Sequence, residues 1–258
     1  MKKYASNQER TAEYFENFNR EKILKLLVSE PNPVILDIGA NLGQSLKEFK
    51  SLWPSSEIHC FEPQEECWTE LDNLKQMYES GVTINHIAAS NVNEESKPFY
   101  SHEVDNTKGT SGFNKINLDS KDSIRLSELQ NSDTSDKGIV DYKTTINHKR
   151  QVPVERMDRY LNRSGLKNID LLKVDTQGHE PEVLEGFGGM LENVRVVITE
   201  LMFYDYYERS LSFSDIEKFL IPAGFHLYDI NHIVKNPMNG RTDWVDVIYI
   251  NNKLRKKI

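Results

Sequence analysis

Short apolar runs and amphipathic stretches alternate along most of the chain, and the apolar runs end at a glycine, a proline or a carboxylate. Residues 7–29 carry Tyr14, Phe18, Ile23, Leu26 and Leu27 at roughly helical spacing, which predicts an N-terminal helical segment within 1–30, punctuated by Pro31 and Pro33. Val34 to Asp37 then reads as a buried parallel strand running into a glycine loop. Helices over 45–53 and 64–78 alternate with strands over 57–61 and 82–87. After residue 150 the alternation returns, with strands at 169–174 and 195–199 and helices at 180–186 and 213–223, the last stopped by Gly224. Two closing strands, 225–230 and 244–250, flank a turn-rich segment at 236–240 with no helix between them, so an antiparallel hairpin is expected at one sheet edge.

Residues 91–150 break the pattern. They are dense in Ser, Asn, Asp, Thr and Lys, which predicts a polar insertion, short strands near 98–100 and 152–155, and a mobile stretch over 115–148. The whole, 1–258, reads as a single α/β domain: a Rossmann-like, mostly parallel sheet with helices on both faces. No internal repeat is visible.

Composition narrows the function classes. With 38% hydrophobic and 28% charged residues the chain reads as an ordinary soluble protein. The net charge of −8 disfavours sequence-independent nucleic-acid binding, which needs surplus Lys and Arg; the basic tail at 253–257 reads as a solvated terminus. Two isolated cysteines, Cys60 and Cys67, suit a reducing compartment, and no disulfide is expected between them. No apolar run is long enough for a membrane span, and the polar start is unlike a signal peptide, so a cytoplasmic location is expected. Oligomeric state leaves no mark on the sequence.

The first strand ends in Asp37-Ile-Gly39-Ala-Asn41-Leu-Gly43, a glycine turn placed where doubly wound sheets bind ligands. Gly39 and Gly43 permit close backbone approach, and Glu62, ending the second strand, suits ribose hydroxyls. A dinucleotide site would want a glycine where Asn41 stands, and Asp37 would repel a pyrophosphate. A carboxylate there suits a cationic cofactor end, which favours S-adenosylmethionine; an NAD-dependent oxidoreductase and a non-catalytic binding module stand as alternatives.

Further blocks share the order of a known family. Phe61-Glu-Pro63, Val152-Pro-Val-Glu-Arg-Met-Asp158, Lys173-Val-Asp-Thr-Gln-Gly-His-Glu180 and Trp244-Val-Asp-Val-Ile-Tyr249 follow the glycine loop. With them the chain resembles the FkbM-type class I S-adenosylmethionine-dependent methyltransferases from about residue 34 to 251. The resemblance implies a seven-stranded sheet with an antiparallel last strand, and methyl transfer, usually to a hydroxyl of a sugar, glycan or small natural product. It implies that Asp37, Gly39, Asn41 and Gly43 line the methionine part of the cofactor, Glu62 the ribose, and Ala88 and Ala89 the adenine. The family often carries a glutamate where this chain has Gln177, and the polar insertion has no ready match.

Methylating an alcohol needs a positioned nucleophile and a group to take its proton. Asp175 ends the fourth strand of the regular pattern, and His179 follows it as a candidate base or as an orienting side chain bonded to Asp175. Lys173 either points across the site or caps the sheet. Glu200 ends the next strand; Asp175, His179 and Glu200 offer a metal-type ligand set, though no metal is expected. Thr110 and Ser111 read as a substrate loop or a surface turn, and Tyr204, with Phe203, Tyr206 and Tyr207, as a sugar-stacking wall or a packed helix start.

Overall fold

The computed structural model describes residues 6–102, 109–120, 146–237 and 239–254. In chain order the elements are α1 (Asn7–Asn17), α2 (Arg20–Leu27), β1 (Val34–Ile38), α3 (Gln44–Leu52), β2 (Glu57–Phe61), α4 (Glu65–Met77), β3 (Val82–Asn85), β4 (Ala88–Ser90), β5 (Glu94–Ser101) and β6 (His148–Arg156). They continue with α5 (Met157–Ser164), β7 (Ile169–Val174), α6 (Glu180–Phe187), a 3-10 turn, β8 (Val194–Met202), α7 (Phe213–Ala223), β9 (Phe225–Lys235) and β10 (Thr242–Asn251).

Seven strands form one sheet in the order β3-β2-β1-β7-β8-β10-β9. β1, β2, β3, β7 and β8 pair in parallel, whereas β10 lies antiparallel to both β8 and β9. This is the Rossmann-like class I arrangement, closing hairpin included. The order reverses between β1 and β7, which opens a crevice at their carboxyl ends.

Alternation along each strand feeds two cores. Leu36, Ile38, Leu172, Val174 and Val197 pack against Tyr160 of α5, Val183 and Phe187 of α6, and Leu220 of α7. On the other face Ile35, Ile58, Leu171, Val196 and Ile198 pack against Leu24 of α2, Phe49 of α3 and Leu71 of α4. No disulfide joins Cys60 and Cys67, both buried thiols. Among the described residues, no helix is long and apolar enough to cross a membrane.

Three elements differ from the sequence expectation. The N-terminal helix is two, because Phe18 is extended (φ −121°, ψ 140°) and Asn19 starts a new helix by accepting from the Lys22 amide. The strand expected over 82–87 ends at Asn85 as β3 in the large sheet, and a further strand, β4, follows it and pairs with β6. With β5 these make a second, three-stranded sheet, so the strands near 98–100 and 152–155 are longer than their patterns and belong to one unit. Helix α5 escaped the pattern reading although Met157, Tyr160 and Leu161 give it a buried stripe. Of the stretch expected to be mobile, residues 121–145 lie outside the described residues, while 115–120 pack against the loop after β8 through the Ile116–Tyr207 bridge.

Candidate active site

The turn after β1 is held on both sides. The Gly39 and Ala40 amides donate to the Phe61 carbonyl, at 3.1 Å each, and tie the turn to the end of β2. Gly39 sits at φ +83°, and a Cβ there would lie 1.9 Å from the Asp175 carbonyl oxygen, so only glycine lets the turn press against the end of β7. Glu62, 3% exposed, accepts from the Asn41 amide at 2.8 Å and the Gln64 amide at 2.9 Å. Burial pushes its carboxyl above the usual range, opposed by those amides. The Gln64 side chain also hydrogen-bonds this carboxylate.

Asp37 and Lys173 are neighbours in the β1–β7 register, which sets their side chains side by side. The Lys173 ammonium lies 3.4 Å from both Asp37 and Asp175 and donates to the Gly39 carbonyl at 3.0 Å. Burial opposes the charge on Lys173, but the two carboxylates outweigh it and hold the ammonium protonated well above its ordinary range. Asp37 is completely buried, and among the described residues neither of its oxygens has a hydrogen bond beyond that ion pair. It lies one layer beneath the site.

Above this floor opens a cleft of about 200 Å³, continuous with solvent. Of the residues singled out in the sequence, Gly39, Asn41, Glu62, Ala88, Ala89, Ser111, Lys173 and Asp175 line it. Phe99 and Phe113, edge to face at 5.3 Å, add an apolar wall, and Thr176 and Gln177 close the side beyond Asp175.

The other candidates lie elsewhere. Gly43 caps α3, and a Cβ there would meet Leu74 and Leu71. The Thr110 carbonyl accepts from the Tyr207 hydroxyl at 2.8 Å. Tyr204 belongs to a separate buried cluster with Ile116, Ile146, Tyr206 and Tyr207, in turns rather than a helix. Glu200 stands behind Gln177, beside a small recess of about 10 Å³ that Glu180, Tyr207 and Arg209 also line. Burial, then repulsion from Asp175, Asp246 and Glu180, push its carboxyl well above the usual range.

His179, 4% exposed, turns away from Asp175. Its ring meets Ser90 Oγ at 3.0 Å and Glu182 at 3.5 Å, and packs on Phe113 at 4.2 Å between centroids. Asp175, His179 and Glu200 therefore do not converge, and among the described residues no group of three or more His, Cys, Asp or Glu is arranged to hold a metal. Burial, reinforced by Lys97 and Arg209, lowers the His179 pKa from 6.5 to about 3. A neutral, buried histidine stabilises the fold above the unfolded value of 6.5, and that stability drains away as pH falls toward about 3. Glu180 acts in the opposite sense: burial raises it from 4.5 to about 7, so its contribution is lost as pH rises through that window. His179→Gln should therefore flatten the loss of stability between about pH 7 and about pH 4 in urea unfolding, and an unchanged slope would contradict this role.

Phe99 was absent from the sequence candidates and carried no signal beyond being aromatic. Gln177 was noted only as standing where the family often has a glutamate, Phe113 closes the candidate loop begun by Thr110 and Ser111, and Tyr207 was read only as part of the aromatic group after Glu200.

The sequence profile of the methyltransferase FkbM domain matches residues 37–227, which covers the glycine turn, Glu62, both ends of the insertion and the Asp175 turn. The chain belongs to the FkbM methyltransferase family. It is 27% identical over 219 residues to the 2-O-methyltransferase NoeI of Sinorhizobium fredii, covering 80% of this chain and 81% of that one. It is 29% identical over 159 residues to the methyltransferase sdnD of Sordaria araneosa, covering 60% of each. The crystal structure of methyltransferase FkbM from Methylobacillus flagellatus KT is similar in fold, with a TM-score of 0.50 and 14% identity over 92% of this chain; this chain spans about half, 50%, of that one.

Proposed function

We propose that this FkbM-family methyltransferase uses S-adenosylmethionine to methylate a hydroxyl oxygen of a sugar-type or other small acceptor. The observation that carries this reading is the charge of the cleft. Glu62 and Asp175 line it, and among its described lining residues the one Lys or Arg, Lys173, is already committed to Asp37 and Asp175. A pyrophosphate would meet carboxylates and no spare cation, whereas a positively charged cofactor is matched by them. Glu62 would accept from ribose hydroxyls, Ala88, Ala89 and Phe99 would cover the adenine, and the Gly39–Asn41 turn would hold the methionine end. The 2-O-methyltransferase among the relatives supports an oxygen acceptor.

When bound, S-adenosylmethionine would supply an electrophilic methyl carbon on a positively charged sulfur, a leaving group that would keep the carbon–sulfur electron pair as the acceptor oxygen takes the methyl. Asp175 takes the hydroxyl proton, with Lys173 holding its carboxylate at the cleft wall. His179 supports the Phe113 wall from behind and stays neutral.

Calorimetry on the purified protein should register S-adenosylmethionine and not NAD; the reverse would overturn the cofactor assignment. Mass spectrometry of glycan and metabolite extracts, incubated with and without the protein, should find an acceptor that gains one methylene mass. With that acceptor and saturating cofactor, Asp175→Asn should lose about 10²- to 10⁴-fold in turnover. Wild-type turnover in that variant would remove Asp175 as the base.

A further inference from the structure

Gln177 is a non-glycine residue at φ +56°, a backbone region that non-glycine residues rarely occupy and that persists where the surroundings over-determine it. The surroundings here are specific. Gly178 follows at φ +93°, where a Cβ would come within 2.7 Å of Asn114 Nδ2, and that amide donates to the Gln177 carbonyl at 3.3 Å. The turn is thus clamped by the insertion.

The strained backbone delivers the side chain between two carboxylates. Gln177 Nε2 donates to Asp175 Oδ1 at 2.8 Å and more distantly to Glu200 Oε1 at 3.5 Å. Its Oε1 accepts from the Tyr207 hydroxyl at 2.7 Å. Tyr207, 2% exposed, has one hydroxyl proton for two acceptors, this oxygen and the Thr110 carbonyl. The carboxylates fix the sense of the Gln177 amide, because a flipped amide would set its oxygen against both of them.

Other charged and titratable groups surround the pair. Lys173 lies 3.4 Å from the second Asp175 oxygen, with Asp37 behind it. Asp246 faces Glu200 across the β8–β10 register, itself 3.5 Å from Arg20 and 3.9 Å from His232, and Glu180 and Tyr207 share the recess behind. Two neighbouring carboxylates without a donor between them share a proton. An acid that already holds a proton takes none from an acceptor.

We propose that Gln177 is a positioning residue for methyl transfer, its amide bridging Asp175 and Glu200 so that Asp175 keeps one oxygen oriented by the bridge and presents the other to the acceptor hydroxyl. The inference rests on the reading of Asp175 as the base. The proton passes from the acceptor oxygen to Asp175, and Gln177 gives up none of its own.

The test uses the full chain. Gln177→Leu removes the bridge, and Gln177→Glu keeps the size but adds a third carboxylate. Both should lose turnover on the acceptor found by mass spectrometry, by about 10²-fold, while binding S-adenosylhomocysteine as the wild type does. The acid limb of the pH–rate profile should move to higher pH in both, further in Gln177→Glu. Without any acceptor, carbon-13 NMR of labelled protein should show the Glu200 carboxyl titrating at higher pH in Gln177→Leu. Should either substitution disrupt folding, Tyr207→Phe leaves the turn intact and should move the acid limb in the same direction, and an unmoved limb there overturns the inference. If Asp175→Asn is inactive while both Gln177 variants keep wild-type turnover and pH profile, the bridge has no positioning role and the base stands. Full activity in Asp175→Asn instead removes the base, and the bridge with it.

Discussion

Lys173→Met should lower the free energy of unfolding by about 3–5 kcal/mol at neutral pH, the typical result of removing one partner from a buried ion pair. The site is a severe case, because Asp37 is completely buried and its oxygens have no other hydrogen-bond partner among the described residues. The same change releases the Gly39 carbonyl and one oxygen of Asp175, so the floor of the cleft loosens with the fold. The sign of the pH dependence follows. Without the ammonium, the buried Asp37 must be protonated in the native state, so the deficit is greatest at high pH and shrinks as pH falls through the ordinary carboxylate range. Urea unfolding at two pH values measures both effects, and a second substitution, Asp37→Leu, should recover much of the loss. A deficit below about 1 kcal/mol would mean that the pair is solvated and has no structural weight.

Glu62→Ala should weaken binding of S-adenosylmethionine by about 10- to 100-fold, the range expected for losing a hydrogen bond to a charged group. Two effects act together. The acceptor for ribose hydroxyls is lost, and the amides of Asn41 and Gln64, satisfied at 2.8 and 2.9 Å in the wild type, lose the group that shapes the turn around the cofactor. Isothermal calorimetry separates these, since Glu62→Gln keeps an acceptor oxygen and should fall between wild type and alanine. Wild-type affinity in the alanine variant would remove Glu62 from the cofactor site.

The parts of the site nearest the main chain were legible in advance. β1, β2, β7 and β8 are rich in buried apolar residues on both faces, and such strands differ in composition from the loops that end them. A carboxylate or glycine at the end of such a run therefore falls at the mouth of the sheet, which is why Gly39, Glu62 and Asp175 could be placed near one another from spacing alone. The pairing of β4 with β6 could not be read, since alternation along a strand says nothing about its partner. The helix α5 was lost for a related reason: eight residues with three buried positions make a weak signal beside a long polar insertion.

The side chains behaved less predictably than the strands. His179 and Asp175 are close in sequence, yet His179 faces Ser90 from β4, 89 residues away in the chain. Asp37 and Lys173, separated by 136 residues, are neighbours because two parallel strands share a register. Gln177 owes its significance to Glu200 and Tyr207, which reach it only when β8 and the following loop are folded beside β7.

Sequence by itself determined the alternating layers and the residues at the strand ends, because hydrophobic periodicity and turn chemistry are local properties. Tertiary structure alone decided which of those residues face the cleft, which lie beneath it, and which carboxylates are bridged or neutralised. Register and loop packing join residues far apart in the chain, and no local pattern records such contacts.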